Sequence, residues 1–192
     1  MNPRFLVPLG AFVALVVVLA VGINHSRMVG VLQSPLVGHQ IPEWELPVLT
    51  DPAKTLGSRQ LQGQWYVLNY WGAWCYACRA EHPTLLQAQR EGRVQIIGVD
   101  WVAGNEDENA NALEWLSRLG NPYSHVVTDR DGRTAINLGI AGAPESLLVN
   151  PQGVIVYKEP GVITPEIWRR EFLPRLPPQS TLPPPDSARR QR

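Results

Sequence analysis

Only two cysteines occur in this chain, and they stand three residues apart in Cys75-Tyr76-Ala77-Cys78. At that spacing on a helix the two thiols lie one turn apart and can close a disulfide. The chemistry open to such a pair is thiol–disulfide exchange, in which one thiolate attacks a disulfide sulfur and the second thiol resolves the mixed disulfide. Cys75 is expected to attack. It sits where a buried strand hands over to a helix, and the unpaired N–H groups and dipole of a helix start favour a thiolate. Cys78, one turn deeper, is expected to resolve. The same spacing also serves a structural disulfide or half of a metal site. A second ligand pair is missing, and Met1 and Met28 both lie outside the folded stretch, which disfavours copper handling. His82, the nearest soft ligand, reads as a surface residue, so no metal and no other cofactor is expected.

The elements that must hold this pair are legible around it. WYVLNYW (65–71) is a near-continuous aromatic and β-branched run, the mark of a buried central strand. RAEHPTLLQAQREG after the cysteines predicts a helix stopping at Gly92. VQIIGVD (94–100) predicts a second buried strand, and Asn109 to Leu119 a helix closed by Gly120-Asn121-Pro122. HVVT (125–128) predicts a short strand followed by a turn at DRDG. ESLLVN and VIVYK flank Pro151-Gln152-Gly153 as a hairpin, and Pro165 to Leu173 reads as a final helix. Upstream, IPEWELPVL suggests a short edge strand broken by prolines. Alternating strands and helices with a terminal hairpin predict an α/β fold with a mixed central sheet.

Composition narrows the class. Hydrophobic residues make up 44% of the 192, enough to bury a core and to exclude disorder of the whole chain. Residues 36–176 hold 12 Lys/Arg against 16 Asp/Glu, and a mildly acidic domain does not fit a nucleic-acid partner. Residues 5–23 form an uncharged, mostly apolar stretch of 19 residues, just long enough to span a bilayer core of ~30 Å. The expectation is an N-terminal membrane anchor (1–23) with the folded part outside the cytoplasm, where disulfide chemistry persists. A cleaved secretory signal is the alternative, with Ala20-Val21-Gly22 as its site. A spacer (24–35), a folded domain (36–176) and a proline-rich, disordered tail (177–192) complete the expected organisation.

Tyr70-Trp71-Gly72-Ala73-Trp74-Cys75-Tyr76-Ala77-Cys78 resembles the active site of the thioredoxin fold, and Pro83 matches the proline within its active-site helix. Ala143-Pro144 resembles the cis-proline loop that faces the disulfide in that fold. Its distance of 69 residues from Cys75 suggests an extra segment around 101–125. LVGHQIPEWEL, WCYACRAEHPTL, LGNPY and GAPESLLVNPQGVIVYK together resemble the membrane-anchored thioredoxin-like proteins of cytochrome c biogenesis, the CcmG/DsbE group, over residues 36–176. The resemblance implies a thioredoxin-like fold with an N-terminal extension and a central insert. It implies reduction of apocytochrome c cysteines for haem attachment, with re-reduction by a membrane electron donor and contact with other cytochrome c maturation components. The alternatives are a broader reductase or oxidase of exported proteins, and a non-catalytic metal- or haem-handling module.

The chain departs from that group at Tyr76, where proline is usual, and at Ala141 and Val162, where an aromatic and an acid are common. Thioredoxins carry a buried Asp where this chain has Asn69, and Asn cannot accept a proton. Glu81, one turn beyond Cys78, is therefore expected as the acid/base for that thiol, against the competing reading of a solvated surface glutamate. Trp74, Ala143, Pro144 and Glu145 are expected to contact substrate.

Overall fold

The computed structural model describes residues 10–20, 34–102 and 107–178. Two compact units are present, 1–33 and 34–192. In the first, residues 10–20 form a helix (α1) with exposed side chains. The expected span at 5–23 runs past this helix at both ends, outside the described residues. Among the described residues no helix is long and apolar enough to cross a membrane. Most of the expected spacer and residues 179–192 of the expected tail also lie outside them.

The second unit is built on a mixed seven-stranded sheet in the order β2-β1-β5-β4-β3-β6-β7. At its centre β3 (Tyr66–Trp71), β4 (Gln95–Trp101) and β5 (His125–Asp129) run parallel. β6 (Glu145–Val149) lies antiparallel to β3, and β7 (Ile155–Glu159) closes that side as the expected hairpin. Every residue of β3 is buried, as its unbroken apolar run predicts for a strand covered on both faces.

Alternate residues of the strands feed two cores. Val67, Trp71, Ile96, Val126 and Leu148 pack with Leu85 and Ala88 of α2 (Tyr76–Glu91), Trp115 and Leu116 of α3 (Glu108–Leu119), and the C-terminal Trp168 and Phe172. Leu68, Tyr70, Ile97, Val99 and Leu147 pack on the other face with Trp44, Leu61, and Ala135 of α4 (Arg133–Asn137). The first face carries both cysteines.

Two expectations are corrected here, and one turn proves to lead into a helix. The strand in IPEWELPVL, β1 (Glu45–Val48), is not an edge, because Asp51–Gly57 folds back on it as β2 and takes the edge. DPAKTLG hides this strand from a hydropathy reading, since most of its side chains are exposed. The turn at DRDG runs straight into α4, a helix too short to show a period. The final helix starts at Pro165 as α5 (Pro165–Ile167), behind the Thr164 cap, but widens into a π-helix over Trp168–Phe172 and ends as a 3-10 turn.

Candidate active site

Cys75 caps α2. Its backbone is extended (φ −84°, ψ 105°), and its Sγ accepts the Cys78 N–H at 3.1 Å. The two cysteines are joined as a disulfide with Cα atoms 5.3 Å apart. No acidic residue stands in the first turn of α2. The positive end of that helix therefore acts on Cys75 with no carboxylate from its own first turn to offset it. At the other end Gly92 takes the left-handed conformation (φ 64°) that ends the helix where the sequence places the stop.

The cis-proline reading agrees with the geometry. Ala143-Pro144 is the cis peptide bond of the described residues. The Ala143 carbonyl oxygen lies 3.4 Å from Cys75 Sγ, so this loop faces the disulfide from the end of β6. Trp74 and Tyr76 flank Cys75 and are 46% and 88% exposed, whereas Cys75 itself is buried. Trp74 Nε1 donates to the Trp101 carbonyl at 2.9 Å, which ties the indole to the end of β4. Gly72 permits this, because a Cβ there would run into the indole ring. Beside Trp74 a groove of about 290 Å³ is lined by Trp74, Arg79, Glu108, Trp115, Arg118 and Leu119, among others.

Glu81 is wholly buried, not a solvated surface residue. Its Oε1 accepts from Asn69 Nδ2 at 2.8 Å and its Oε2 from the Ile163 N–H at 3.0 Å. Asn69 is held in turn by Tyr123 OH, which donates to its Oδ1 at 2.8 Å, and by Ser146 Oγ at 2.9 Å from its Nδ2. Burial pushes the Glu81 carboxyl up to about 7 and the charge of Glu159 adds to this, while its two hydrogen bonds pull it down. Both donors are neutral. Asn69 thus orients the acid that occupies the interior beneath Cys78.

His82 is also buried, which corrects its reading as a surface residue. Its Nε2 lies 3.1 Å from the Gly120 carbonyl oxygen and its ring 5.7 Å from that of Trp115. Burial lowers its basicity, opposed by the Gly120 and Leu119 carbonyls. The helix carries both residues inward because α2 is covered by α3 on one side and by the Ile163 segment on another.

Glu145, expected to touch substrate, turns both oxygens into the protein. Oε1 pairs with Lys158 Nζ at 2.9 Å and Oε2 accepts the Ala141 N–H at 2.7 Å. Lys158 Nζ also donates to the Gly139 carbonyl at 2.6 Å, so this ion pair pins the segment leading into the cis-proline loop.

Sequence reasoning missed a second buried acid. Asp100, at the end of β4, is fully buried. Burial pushes its carboxyl up to about 8, Glu108 pushes in the same direction, and Arg130 opposes them. Glu108, at the start of α3, is buried too and accepts the Ala73 N–H two residues before Cys75. An acid ending the apolar run VQIIGVD was the one available signal.

The AhpC/TSA family model matches residues 37–158. The chain is 39% identical over 171 residues to the thiol:disulfide interchange protein DsbE of Pseudomonas aeruginosa, covering 88% of this chain and 90% of the relative. It is equally similar, 39% over 171 residues, to DsbE of Allochromatium vinosum, covering 89% and 91%. Among solved structures, a secreted thiol-disulfide isomerase from Corynebacterium glutamicum superposes with a TM-score of 0.58 at 20% identity, covering 66% of this chain and 79% of that one. That likeness shows the fold, an α/β thioredoxin-like one with a mixed seven-stranded sheet.

Proposed function

The chain belongs to the DsbE family of thiol:disulfide interchange proteins, a thiol:disulfide oxidoreductase with the Cys75–Cys78 redox pair, and we propose that it reduces the haem-attachment cysteines of apocytochrome c. The reduced Cys75 thiolate attacks one sulfur of the target disulfide, and the other leaves as a thiolate that takes up a proton. Cys78 then loses its proton, attacks Cys75 Sγ and expels the second target thiol. The target gains two electrons and two protons, and the protein is left as its own disulfide. A membrane electron donor of the thiol-reducing pathway restores the dithiol, and other cytochrome c maturation components act around this exchange.

The observation that carries this reading is the joint geometry at Cys75: a thiol that caps the N-terminus of α2, faced by the Ala143 carbonyl. Glu81 is the proton carrier for Cys78, one turn away on the same helix. Trp74, Ala143 and Pro144 form the surface against which the target chain lies. Glu145 serves that surface indirectly, by holding Ala141 and Lys158 in place. Residues 5–23 anchor the chain in the inner membrane, and the domain at 36–176 works on the periplasmic side. β1 and β2 form the N-terminal extension of the fold, and the segment around 101–125 its insert.

Trapping tests the substrate. In Cys78→Ser the Cys75 mixed disulfide has no resolving thiol and accumulates, and apocytochrome c bound through its haem-attachment cysteines is expected among the trapped species. Many unrelated exported proteins with no cytochrome would replace this substrate with a broad one. No trapped species, with Cys75 inert to alkylation at neutral pH, would remove the enzymatic role and leave a metal- or haem-handling module.

A further inference from the structure

The loop that presents Cys75 is anchored to a pair of acids that takes no part in the exchange above. Ala73, in the middle of Gly72-Ala73-Trp74, donates its N–H to the Glu108 carboxylate. Glu108 stands against Asp100, and both are buried where β4 ends and α3 begins. Asp100 Oδ1 finds no hydrogen-bond donor among the described groups. Two ionised carboxylates cannot satisfy each other, because each only accepts. A single proton between them resolves this: it gives the orphaned oxygen a partner and leaves one negative charge for the Ala73 N–H.

The surroundings are consistent with one retained proton. The Asn109 amide, in the orientation that satisfies its neighbours, donates to Asp100 Oδ2 at 3.2 Å and accepts from Arg130 at 3.2 Å. Arg130, after β5, is the cation that acts on Asp100. Tyr123 feels both Asp100 and Glu81, and through its hydroxyl on Asn69 it stands between the two acids. Arg79 of α2 and Arg118 and Glu114 of α3 border the groove beside Glu108.

We propose that Asp100 and Glu108 are positioning residues that share a proton and, through the Ala73 N–H, hold the loop before Cys75 in its attacking geometry. The inference rests on thiol–disulfide exchange at Cys75 and is independent of which disulfide is the substrate. Loss of the shared proton places a second negative charge beside the loop, which disfavours the Cys75 thiolate. Cys75 reactivity then rises less steeply with pH than its own ionisation would give.

Single-turnover reduction of a small model disulfide by the purified protein, followed from pH 6 to 9, reads this out apart from any cytochrome substrate. Glu108→Ala leaves the Ala73 N–H without its acceptor and is expected to slow attack on the order of tenfold. Glu108→Gln keeps an acceptor oxygen and should restore part of that loss, to within about threefold of the parent. Both Glu108→Gln and Asp100→Asn should lack the break in the pH profile between about 7 and 9 that the parent shows. If Glu108→Ala does not fold, these two variants decide the matter by the profile alone. Equal rates for the Ala and Gln variants, or a pH profile unchanged by Asp100→Asn, would overturn the proposal.

Discussion

Two buried glutamates, Glu81 beneath the cysteines and Glu145 beneath the cis-proline loop, show how neighbours decide what a carboxylate can do. Glu145 meets an ammonium: Lys158 Nζ sits 2.9 Å from Oε1, and both side chains are almost fully covered. Its charge is compensated, and its second oxygen is spent on a backbone N–H. Glu81 is more deeply buried but meets only an amide and a peptide N–H. With no cation to hold the charge, desolvation dominates and the carboxyl is pushed up to about 7. One acid is a fixed strut, and the other is poised to give and take a proton near neutral pH.

The sharpest way to break this contrast is to remove the cation. Lys158→Met leaves the Glu145 carboxylate buried without a partner and should destabilise the domain by about 3–5 kcal/mol, measured by urea unfolding at pH 7. A loss below about 1 kcal/mol would mean that Glu145 is not held as a strut. Glu81 predicts a different signature, in pH rather than in partner loss. Its folded carboxyl, near 7, lies above the ordinary value of 4.5. The folded state therefore keeps a proton that the unfolded state has released. Stability must fall as pH rises through this window, on the order of 3 kcal/mol in all, and not recover above it. Glu81→Gln should remove the Glu81 share of that slope and leave the share of Asp100, whose carboxyl is also pushed up, to about 8; an unchanged slope would place the titrating group elsewhere.

The kinetic counterpart is smaller. Glu81 is fully buried, and Glu81→Gln should slow release from the mixed disulfide by on the order of 10- to 100-fold. Initial attack by Cys75 should change much less. Equal slowing of both steps in rapid-mixing experiments would point to a damaged site instead of a lost proton carrier. Exposed Arg59–Glu43, with an N–O distance of 2.7 Å, supplies the control for Lys158–Glu145. Arg59→Ala should cost about 0.5 kcal/mol or less, because solvent screens that pair.

The same contrast explains what was legible in the chain. Cys75, Cys78 and Pro144 lie in short motifs whose meaning is local, and the strand–thiol–helix order fixes how the cysteines are presented. The α/β alternation was readable because β3 and β4 are buried on both faces and carry nearly continuous apolar runs, and β5 and β6 carry shorter ones. Glu81 was legible as a position on the helix but not as a buried acid, since its cover comes from Ile163, 82 residues away. Glu145 lies beside the proline in sequence, but its partner Lys158 comes from the next strand across the hairpin, which turned the expected substrate contact inward. Asp100 and Glu108 meet only because α3 folds back over the end of β4. β2 escaped notice because an exposed edge strand has no apolar period to read.

The proton on Glu81 is the claim on which this account turns. Carbon-13 NMR of the side-chain carboxyl, assigned by comparison with Glu81→Gln and followed from pH 4 to 9 in the disulfide form, observes it directly. The expected result is a Glu81 carboxyl that stays protonated through pH 6 and titrates around 7. A carboxyl already ionised by pH 5 would contradict it, because Glu81 could then no longer carry the proton of Cys78.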